Sequence, residues 1–303
     1  YYFCKKNNRI LKKTLIISFL LFHFLCFSQE KYPQNYFSNP VEIPLLLSGS
    51  FGELRSNHFH AGLDIKTQGR EGLKVIAAAE GYVSRIKVQQ FGYGKAIYIT
   101  HPSGFTTVYG HLSKFADKIE EYIKSVQYKN ENYETGDLFF KEDEFPVQKG
   151  EMIALSGDTG GSGGPHLHFE IRNSFTEKTI NPLFFGLKVD DTIAPTFQNL
   201  KVFALNADSR INQQNKNFQL EIKNIKKGVY EAERISANGS IGFGVNVFDR
   251  FNNSSNKNGI FSLEMIVNGN RYYYHDVETF SFPESKYINL LIDYEHYKKY
   301  HTK

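Results

Sequence analysis

The sequence predicts a mainly β protein with two folded parts: an antiparallel-sheet domain that carries a partly helical insertion, followed by an immunoglobulin-like β-sandwich domain. Three observations predict this. Short apolar runs alternate with glycine-rich turns over residues 46–187, helical spacing is almost absent there, and a second series of strand-like runs follows residue 187. Many short strands with glycine and proline turns are typical of antiparallel architectures rather than of α/β folds.

The first 28 residues are predicted to be a secretory signal peptide. Five basic residues precede an apolar run over 14–27, and the small residues Cys26 and Ser28 mark the expected cleavage point. The alternative is a membrane anchor, but the run is shorter than the ~20 residues that a span needs, so we expect no stable membrane span after cleavage. The protein is therefore expected to be exported to the periplasm or the cell envelope.

Removing this segment changes the global charge. The whole chain has a formal net charge of +4, but residues 1–28 hold five basic and no acidic residues, and the remaining 31 basic and 32 acidic residues give −1. The composition therefore indicates no nucleic-acid partner. Both cysteines, Cys4 and Cys26, also leave with the segment, which excludes a disulfide framework and a cysteine nucleophile in the mature chain.

The first folded part is predicted to span residues 46–187, after an extended, proline-containing segment over 29–45. Alternating or continuous apolar runs predict its strands at 75–78, 81–88, 95–101, 105–109, 152–156 and 166–171. Residues 114–145 interrupt this pattern and are interpreted as an insertion. Apolar residues with helical spacing predict a helix over 115–128, and a polar, acidic run follows. We expect the insertion to lie over the sheet, as a solvated loop or as a lid that contacts substrate.

Residues 188–303 are predicted to form the β-sandwich, after a linker over 188–195. Strand-like runs recur at 200–205, 218–222, 242–249, 260–267, 271–275 and 287–292, with turns such as Asn268-Gly269 between them. This part of the sequence shows no cluster of metal-ligand residues. It could bind the cell wall, a protein partner or the catalytic groove itself, and the sequence does not choose among these. The sequence begins with Tyr1 rather than methionine and its last residues are Tyr-His-Thr-Lys303, so we expect it to be truncated at both ends.

The histidines His166 and His168 are the strongest functional signal. Side chains two apart in a strand share a face, so both imidazoles can point into one pocket while Leu167 and Phe169 face a core. Glu170 continues the same face. A pair of histidines at this spacing is often only structural, and its significance depends on which other ligands the fold brings to it.

A second polar pair, His60 and Asp64, lies about a hundred residues upstream. In an extended strand their Cα atoms would be ~13 Å apart, which is too far for two ligands of one ion. Gly62 can turn without steric cost, so we expect a bend there, with His60 on a loop and Asp64 at the start of a strand.

The residue types suggest a zinc centre held by His60, Asp64 and His168. Two neutral imidazoles and one carboxylate leave Zn²⁺ a net charge of +1 and an open fourth position, where the pKa of a water is lowered toward ~7. His166 and His111 would remain beside it. Each can accept a proton from the water or donate a hydrogen bond to a developing oxyanion.

The order of these motifs closely resembles the M23 family of zinc metallopeptidases, the lysostaphin-like or LytM-type peptidoglycan endopeptidases, over roughly residues 48–186. The resemblance rests on His60-x-Gly-x-Asp64, Tyr93-Gly-Lys-Ala-Ile-Tyr-Ile, Thr106-Thr-Val-Tyr-Gly-His-Leu-Ser113, Val147-Gln-Lys-Gly-Glu-Met-Ile-Ala-Leu-Ser-Gly157 and the run from Gly160 to Glu170. It implies a groove across a small antiparallel sheet and hydrolysis of a peptide bond in the stem or cross-bridge of peptidoglycan. It also implies zinc binding by His60, Asp64 and His168 and catalysis by His111 and His166.

Three alternatives remain open at this point. Some proteins of this kind have lost their ligands and act as activators or scaffolds for other cell-wall hydrolases. A zinc amidase would use a glutamate ligand, and Glu170 is the acid nearest to the histidine pair. A purely adhesive protein would depend on the sandwich alone. The insertion at 114–145 departs from the short connection that is usual in the family and leaves the shape of the groove undefined.

Overall fold

A computed structural model of the chain describes residues 31–301, so the predicted signal peptide lies outside the described residues. Within this range the chain is mainly β, as the sequence predicts, and its strands pair antiparallel. Among the helices of residues 31–301, none is long and apolar enough to cross a lipid bilayer.

The first part of the chain forms two antiparallel sheets. Their strands are, in chain order, β1 Leu47–Gly49, β2 Leu63–Lys66, β3 Lys74–Ile76, β4 Gly81–Val88, β5 Lys95–Thr100, β6 Phe105–Gly110, β7 Leu112–Phe115, β8 Gly136–Phe139, β9 Pro146–Val147, β10 Met152–Ser156, β11 His166–Asn173 and β12 Thr179–Ile180. The large sheet runs β1-β2-β11-β6-β5-β4-β8, with β12 beside β11 and β9 beside β4. Strands β3, β10 and β7 form the small sheet.

The two faces of the large sheet differ in chemistry. On the inner face, alternate residues such as Leu63, Ile97 and Phe169 are fully buried in the main core. On the outer face of the same strands lie polar residues, including Asp64 and His168. Because side chains alternate along a strand, burial of the apolar set fixes which polar residues emerge together on the outer face.

Replacing Phe169 with alanine is expected to lower the free energy of unfolding by about 3–5 kcal/mol. The ring is fully buried and packs on that of Tyr109, with 5.3 Å between centroids, so its loss leaves a cavity. Phe175→Ala is the matched control, since Phe175 is 96% exposed and its loss should change stability by less than about 0.5 kcal/mol. Equilibrium urea unfolding measures both variants, and equal effects would contradict the packing described.

The insertion contains a helix, α1 Asp117–Asn130, where the spacing predicts one over 115–128. It begins two residues later because Phe115 belongs to β7. Ile119 and Ile123 bury the inner face of the helix. The buried carboxylate of Glu120 accepts a hydrogen bond from the Phe115 N–H at 3.0 Å, which joins helix and sheet.

The prediction that the insertion lies over the sheet is wrong for its second half, which forms part of the sheet. Strand β8 pairs with β4 over four residues, from Arg85 opposite Phe139 to Val88 opposite Gly136, and thereby extends the large sheet at its edge. The polar composition of this stretch hid a strand, because an edge strand needs few apolar residues when both of its faces are partly solvated.

The immunoglobulin-like sandwich is not confirmed. The remaining strands are β13 Thr196–Ala204, β14 Arg210–Ile211, β15 Phe218–Leu220, β16 Ile222–Lys226, β17 Val229–Ala232, β18 Ala237–Asn238, β19 Ile241–Phe248, β20 Ser262–Val267, β21 Asn270–Asp276 and β22 Thr279–Phe280. They form one three-stranded sheet, β15-β13-β19, three separate pairs, and β22, which joins the large sheet through β12. Hairpin β20–β21 is largely exposed on both faces, so no second sheet of the described residues packs on it as a sandwich requires.

The strand predicted at 287–292 is wrong. Short helices close the described chain: α2 Phe282–Ser285, α3 Ile288–Leu291 and α4 Tyr294–Tyr300. A short apolar run cannot be assigned to strand or helix from periodicity alone. The sequence feature that indicates a helix here is Ser281 followed three residues later by Glu284, a capping pair at a helix start. The Ser281 N–H and hydroxyl both donate to the Glu284 carboxylate, at 2.9 and 2.7 Å.

Candidate metal centre

Strand β11 brings the histidine pair onto the outer face of the large sheet. Leu167 and Phe169 are fully buried beneath it, as the alternation predicts. His168 lies between two neighbouring strands, opposite Asp64 of β2 and Gly110 of β6. Pairing at this register therefore places a carboxylate next to an imidazole from a position more than a hundred residues away.

His60 reaches the same point because the chain bends between it and Asp64. The bend lies at Gly62, His60 is on a loop, and Asp64 is the second residue of β2, in agreement with the prediction. A Cβ atom at Gly62 would lie 2.3 Å from the carbonyl oxygen of Phe169, so only glycine fits. As a result the His60 Nε2 atom lies 2.9 Å from Asp64 Oδ1.

Three donor atoms form a nearly equilateral triangle. The distances are 2.9 Å from His60 Nε2 to Asp64 Oδ1, 3.0 Å from Asp64 Oδ1 to His168 Nδ1, and 3.1 Å from His168 Nδ1 to His60 Nε2. Ligands at ~2.0–2.1 Å from a tetrahedral zinc are ~3.3 Å apart. The donor set and its spacing therefore fit zinc. Among the described residues, these three form the cluster that could hold a metal ion.

The second ring nitrogen of each histidine in this triangle is also held. His60 Nδ1 lies 2.8 Å from the Ser50 carbonyl oxygen, and His168 Nε2 lies 2.8 Å from Glu170 Oε1. The Arg172 Nε–H donates to Glu170 Oε2 at 2.6 Å and keeps that carboxylate in place. Hydrogen bonds of this kind orient metal-binding imidazoles and fix their tautomer.

Tyr93 completes the surroundings of His168. Its hydroxyl donates to Glu170, and its ring stacks on the His168 ring with 4.9 Å between centroids and 22° between planes. On the other side of the site, Arg55 Nη2 lies 2.8 Å from Asp64 Oδ2, so the two oxygens of Asp64 have different partners. His168 and Asp64 are therefore fixed before any ligand arrives.

His111 and His166 lie beside the triangle, with 4.6 Å between their ring centroids. The His111 Nδ1 atom lies 2.7 Å from the Thr159 carbonyl oxygen, and His166 Nδ1 lies 2.8 Å from that of Gly164. Carbonyl acceptors require Nδ1–H, so Nε2 is the nitrogen of each ring that the backbone does not engage, and that of His166 lies 3.5 Å from Asp64 Oδ1. The five residues predicted from the sequence, namely His60, Asp64, His111, His166 and His168, therefore lie together in one site.

The electrostatics of the centre favour positive charge at the triangle. Burial alone would raise the pKa of Asp64, but hydrogen bonds from the three surrounding imidazoles outweigh it and hold this pKa well below its usual range. Burial opposes charge on His168, yet Asp64 and Glu170 raise its pKa to about 9. Burial would likewise raise the pKa of Glu170, but Arg172 and His168 lower it to about 2. Burial, followed by repulsion from the neighbouring imidazoles, lowers the pKa of His111 to about 4.

Several residues of the site were not found from the sequence. Arg172 had a usable signal, because strand alternation puts it on the face of His168 and Glu170. Ser50, Arg55 and Tyr93 belong to other segments, and their contacts arise only from the folded arrangement. Glu170 lies behind His168, at the nitrogen that faces away from the triangle, and not among the donor atoms.

Comparison with known proteins identifies the domain. The family model described as "Peptidase family M23" matches residues 58–128 and 133–182, which include all five site residues. These residues are similar to a peptidase family M23 domain. The match is interrupted at 129–132, inside the insertion, and it includes strands β2 to β12 and the donor triangle.

Three individual relatives each match less than half of this chain. An uncharacterized metalloprotease of Haemophilus influenzae is 35% identical over 124 residues, which are 41% of this chain and 20% of the relative. The DD-carboxypeptidase/endopeptidase Mpg of Neisseria meningitidis is 31% identical over 134 residues, 44% of this chain and 24% of the relative. The catalytic domain of lysostaphin from Staphylococcus simulans is 25% identical, with a TM-score of 0.33, and covers 46% of this chain and 90% of that domain. The chain thus spans about a quarter or less of the length of these two curated relatives.

Proposed function

We propose that this protein is a zinc-dependent endopeptidase that hydrolyses peptide bonds in the stem or cross-bridge peptides of peptidoglycan. The observation that carries the proposal is the donor triangle of His60, Asp64 and His168, with two further imidazoles beside it. The M23 domain supports peptide hydrolysis. The name of the DD-carboxypeptidase/endopeptidase relative supports a substrate with D-residues, and such residues occur in peptidoglycan peptides.

His60, Asp64 and His168 would hold the zinc and leave one coordination position for substrate or water. When bound there, the ion supplies a Lewis acid that polarises the scissile carbonyl and makes water a stronger nucleophile at neutral pH. Glu170, together with Arg172, keeps the His168 ring in the orientation that points Nδ1 at the triangle.

We assign proton transfer to His111 and His166. Because the Nδ1–H of each ring is bound to a backbone carbonyl, Nε2 can accept a proton from the attacking water and then donate to the developing oxyanion or the leaving amine. The backbone bonds also prevent the rings from turning away, so each nitrogen is positioned before substrate binds.

The catalytically silent scaffold is the principal alternative, and the complete donor set favours the enzyme, because a scaffold does not need a metal. A zinc amidase would need Glu170 as a metal ligand. The Glu170 carboxylate instead binds His168 Nε2 and Arg172, which favours the peptidase. We further propose that the protein acts in the periplasm or cell envelope, where this substrate lies, and that the C-terminal region is available for a protein partner.

The purified full chain is expected to contain one zinc ion and to release muropeptides from isolated peptidoglycan. Elemental analysis measures the metal, and mass spectrometry of the products names the bond that is cut. Treatment with 1,10-phenanthroline should stop the release, and added zinc should restore it. Digestion that continues unchanged in a zinc-free protein would refute the mechanism, and a zinc-loaded protein without any product would favour the scaffold.

A further inference from the structure

The C-terminal region packs against the residues that surround the metal centre. We call residues 254–285 the buttress segment. Its strand β22 pairs with β12 of the large sheet, and the Phe280 ring contacts that of Phe51, with 5.2 Å between centroids. The Ser254 hydroxyl donates to the Leu47 carbonyl at 2.8 Å. The contacts of Phe280 with Phe51 and of Ser254 with Leu47 lie along residues 47–59, the segment that leads into His60.

Two buttress contacts end next to His60. The Gly259 N–H donates to the hydroxyl of Ser50 at 3.1 Å, and the carbonyl of the same Ser50 accepts the hydrogen bond from His60 Nδ1. The N–H of Phe59, the residue before His60, donates to the Ser285 hydroxyl at 2.7 Å. The C-terminal region therefore holds the loop that carries His60 at two points, Ser50 and Phe59.

A third contact reaches the other imidazole. The Phe282 ring covers the guanidinium of Arg172, with 4.4 Å between Cζ and the ring centroid. Arg172 is 5% exposed and binds the Glu170 carboxylate that holds His168. An aromatic face over a guanidinium is favourable and excludes water from the ion pair. Loss of the ring would admit water to the Arg172–Glu170 pair and loosen the carboxylate.

We propose that the buttress segment is a positioning element of the peptidase centre, in which Phe282, through Arg172 and Glu170, fixes the orientation of the metal-binding ring of His168. This inference rests on the proposed function. Packing between two parts of a chain is common. Here, however, two separate contacts end on groups that adjoin or hydrogen-bond His60. A third contact ends on Arg172, which binds the Glu170 carboxylate that holds His168.

The test is Phe282→Ala in the full chain. We expect zinc to be lost to a competing chelator about 10-fold more readily than from the unsubstituted protein, because removal of a support beyond the ligands lowers metal affinity by about 10–100-fold. We also expect kcat to fall while KM stays within about twofold, and the visible spectrum of the cobalt-substituted protein to change. Phe282→Tyr keeps the aromatic face and should restore all three properties. Phe243→Ala, in β19, is the matched control because Phe243 is similarly exposed, at 47% against 40%.

Ser285→Ala provides a second, independent test that does not remove an aromatic ring. It deletes the buried hydroxyl that accepts from Phe59 N–H and, at a temperature well below its unfolding midpoint, should weaken zinc retention through His60. If the unsubstituted protein binds zinc and digests peptidoglycan, but neither variant differs from it in zinc retention or cobalt spectrum, the inference is refuted. If the unsubstituted protein itself binds no zinc, the proposed function has failed, and the inference fails with it.

Discussion

Replacing Asp64 with asparagine is expected to empty the protein of zinc and to lower kcat/KM on peptidoglycan by at least about 10³-fold, since the several kcal/mol of Lewis-acid stabilisation is lost. Asparagine keeps the shape of the side chain but removes its charge. Asp64 Oδ1 lies 2.9 Å from His60 Nε2, 3.0 Å from His168 Nδ1 and 3.5 Å from His166 Nε2. The substitution therefore removes the negative charge that these three imidazoles share. Elemental analysis and muropeptide release measure the two effects.

Asp117→Asn is the control for this change. Asp117 stands in the first turn of α1 with its side chain 84% exposed, and its replacement should alter neither zinc content nor activity. An Asp64→Asn protein that keeps a full zinc ion would remove Asp64 from the ligand set. His168→Ala then distinguishes enzyme from scaffold, because a scaffold would keep its biological activity after the metal is lost.

The local placement of the donor residues could be predicted from two short patterns, whereas their meeting across strands β2 and β11 was implied by the family resemblance. The alternation of β11 sets apolar residues at Leu167 and Phe169 against polar ones at His166 and His168, and burial of the apolar set decides the face. The four-residue spacing from His60 to Asp64 requires a bend, and the only glycine between them supplies it. Each pattern is confined to a few residues, so tertiary context had little room to alter it.

What surrounds the triangle could not be predicted, because it depends on contacts between distant segments. The hydroxyl of Tyr93 meets Glu170 from 77 positions away, and Phe59 N–H meets Ser285 from 226 positions away. Neither contact leaves a periodic signal in the sequence. Arg172 is intermediate, since alternation gives its face but not the Phe282 ring that covers it.

The C-terminal part was predicted less well for a related reason. Its strand-like runs are real, but they lack the two sets of buried apolar residues that face each other in a sandwich. The small core there is built from Val202, Ile211 and Leu220, while Phe251, Val277 and Phe280 pack on the main core of the first part of the chain. Strand patterns thus identified the elements, while the layer they belong to depends on how much apolar surface each has to bury.

His166→Ala is expected to keep the zinc ion and to lower kcat by about 10²–10⁴-fold, the usual contribution of a positioned proton-transfer group. The ring lies outside the donor triangle, and its Nδ1 is committed to the Gly164 carbonyl, so its removal takes away a nitrogen for proton transfer and not a ligand. His296→Ala, in helix α4, is the control and should leave kcat unchanged. Loss of zinc from His166→Ala would instead assign His166 to the ligands.

Combining this change with His111→Ala tests whether the two imidazoles act on one proton. Their ring centroids are only 4.6 Å apart, so a water or an oxyanion that contacts one ring can also contact the other. If both serve the same transfer step, the double variant should be little slower than the slower single variant, because groups that act as a unit are not additive. If His111 moves the proton while His166 stabilises the oxyanion, the two losses in kcat should multiply.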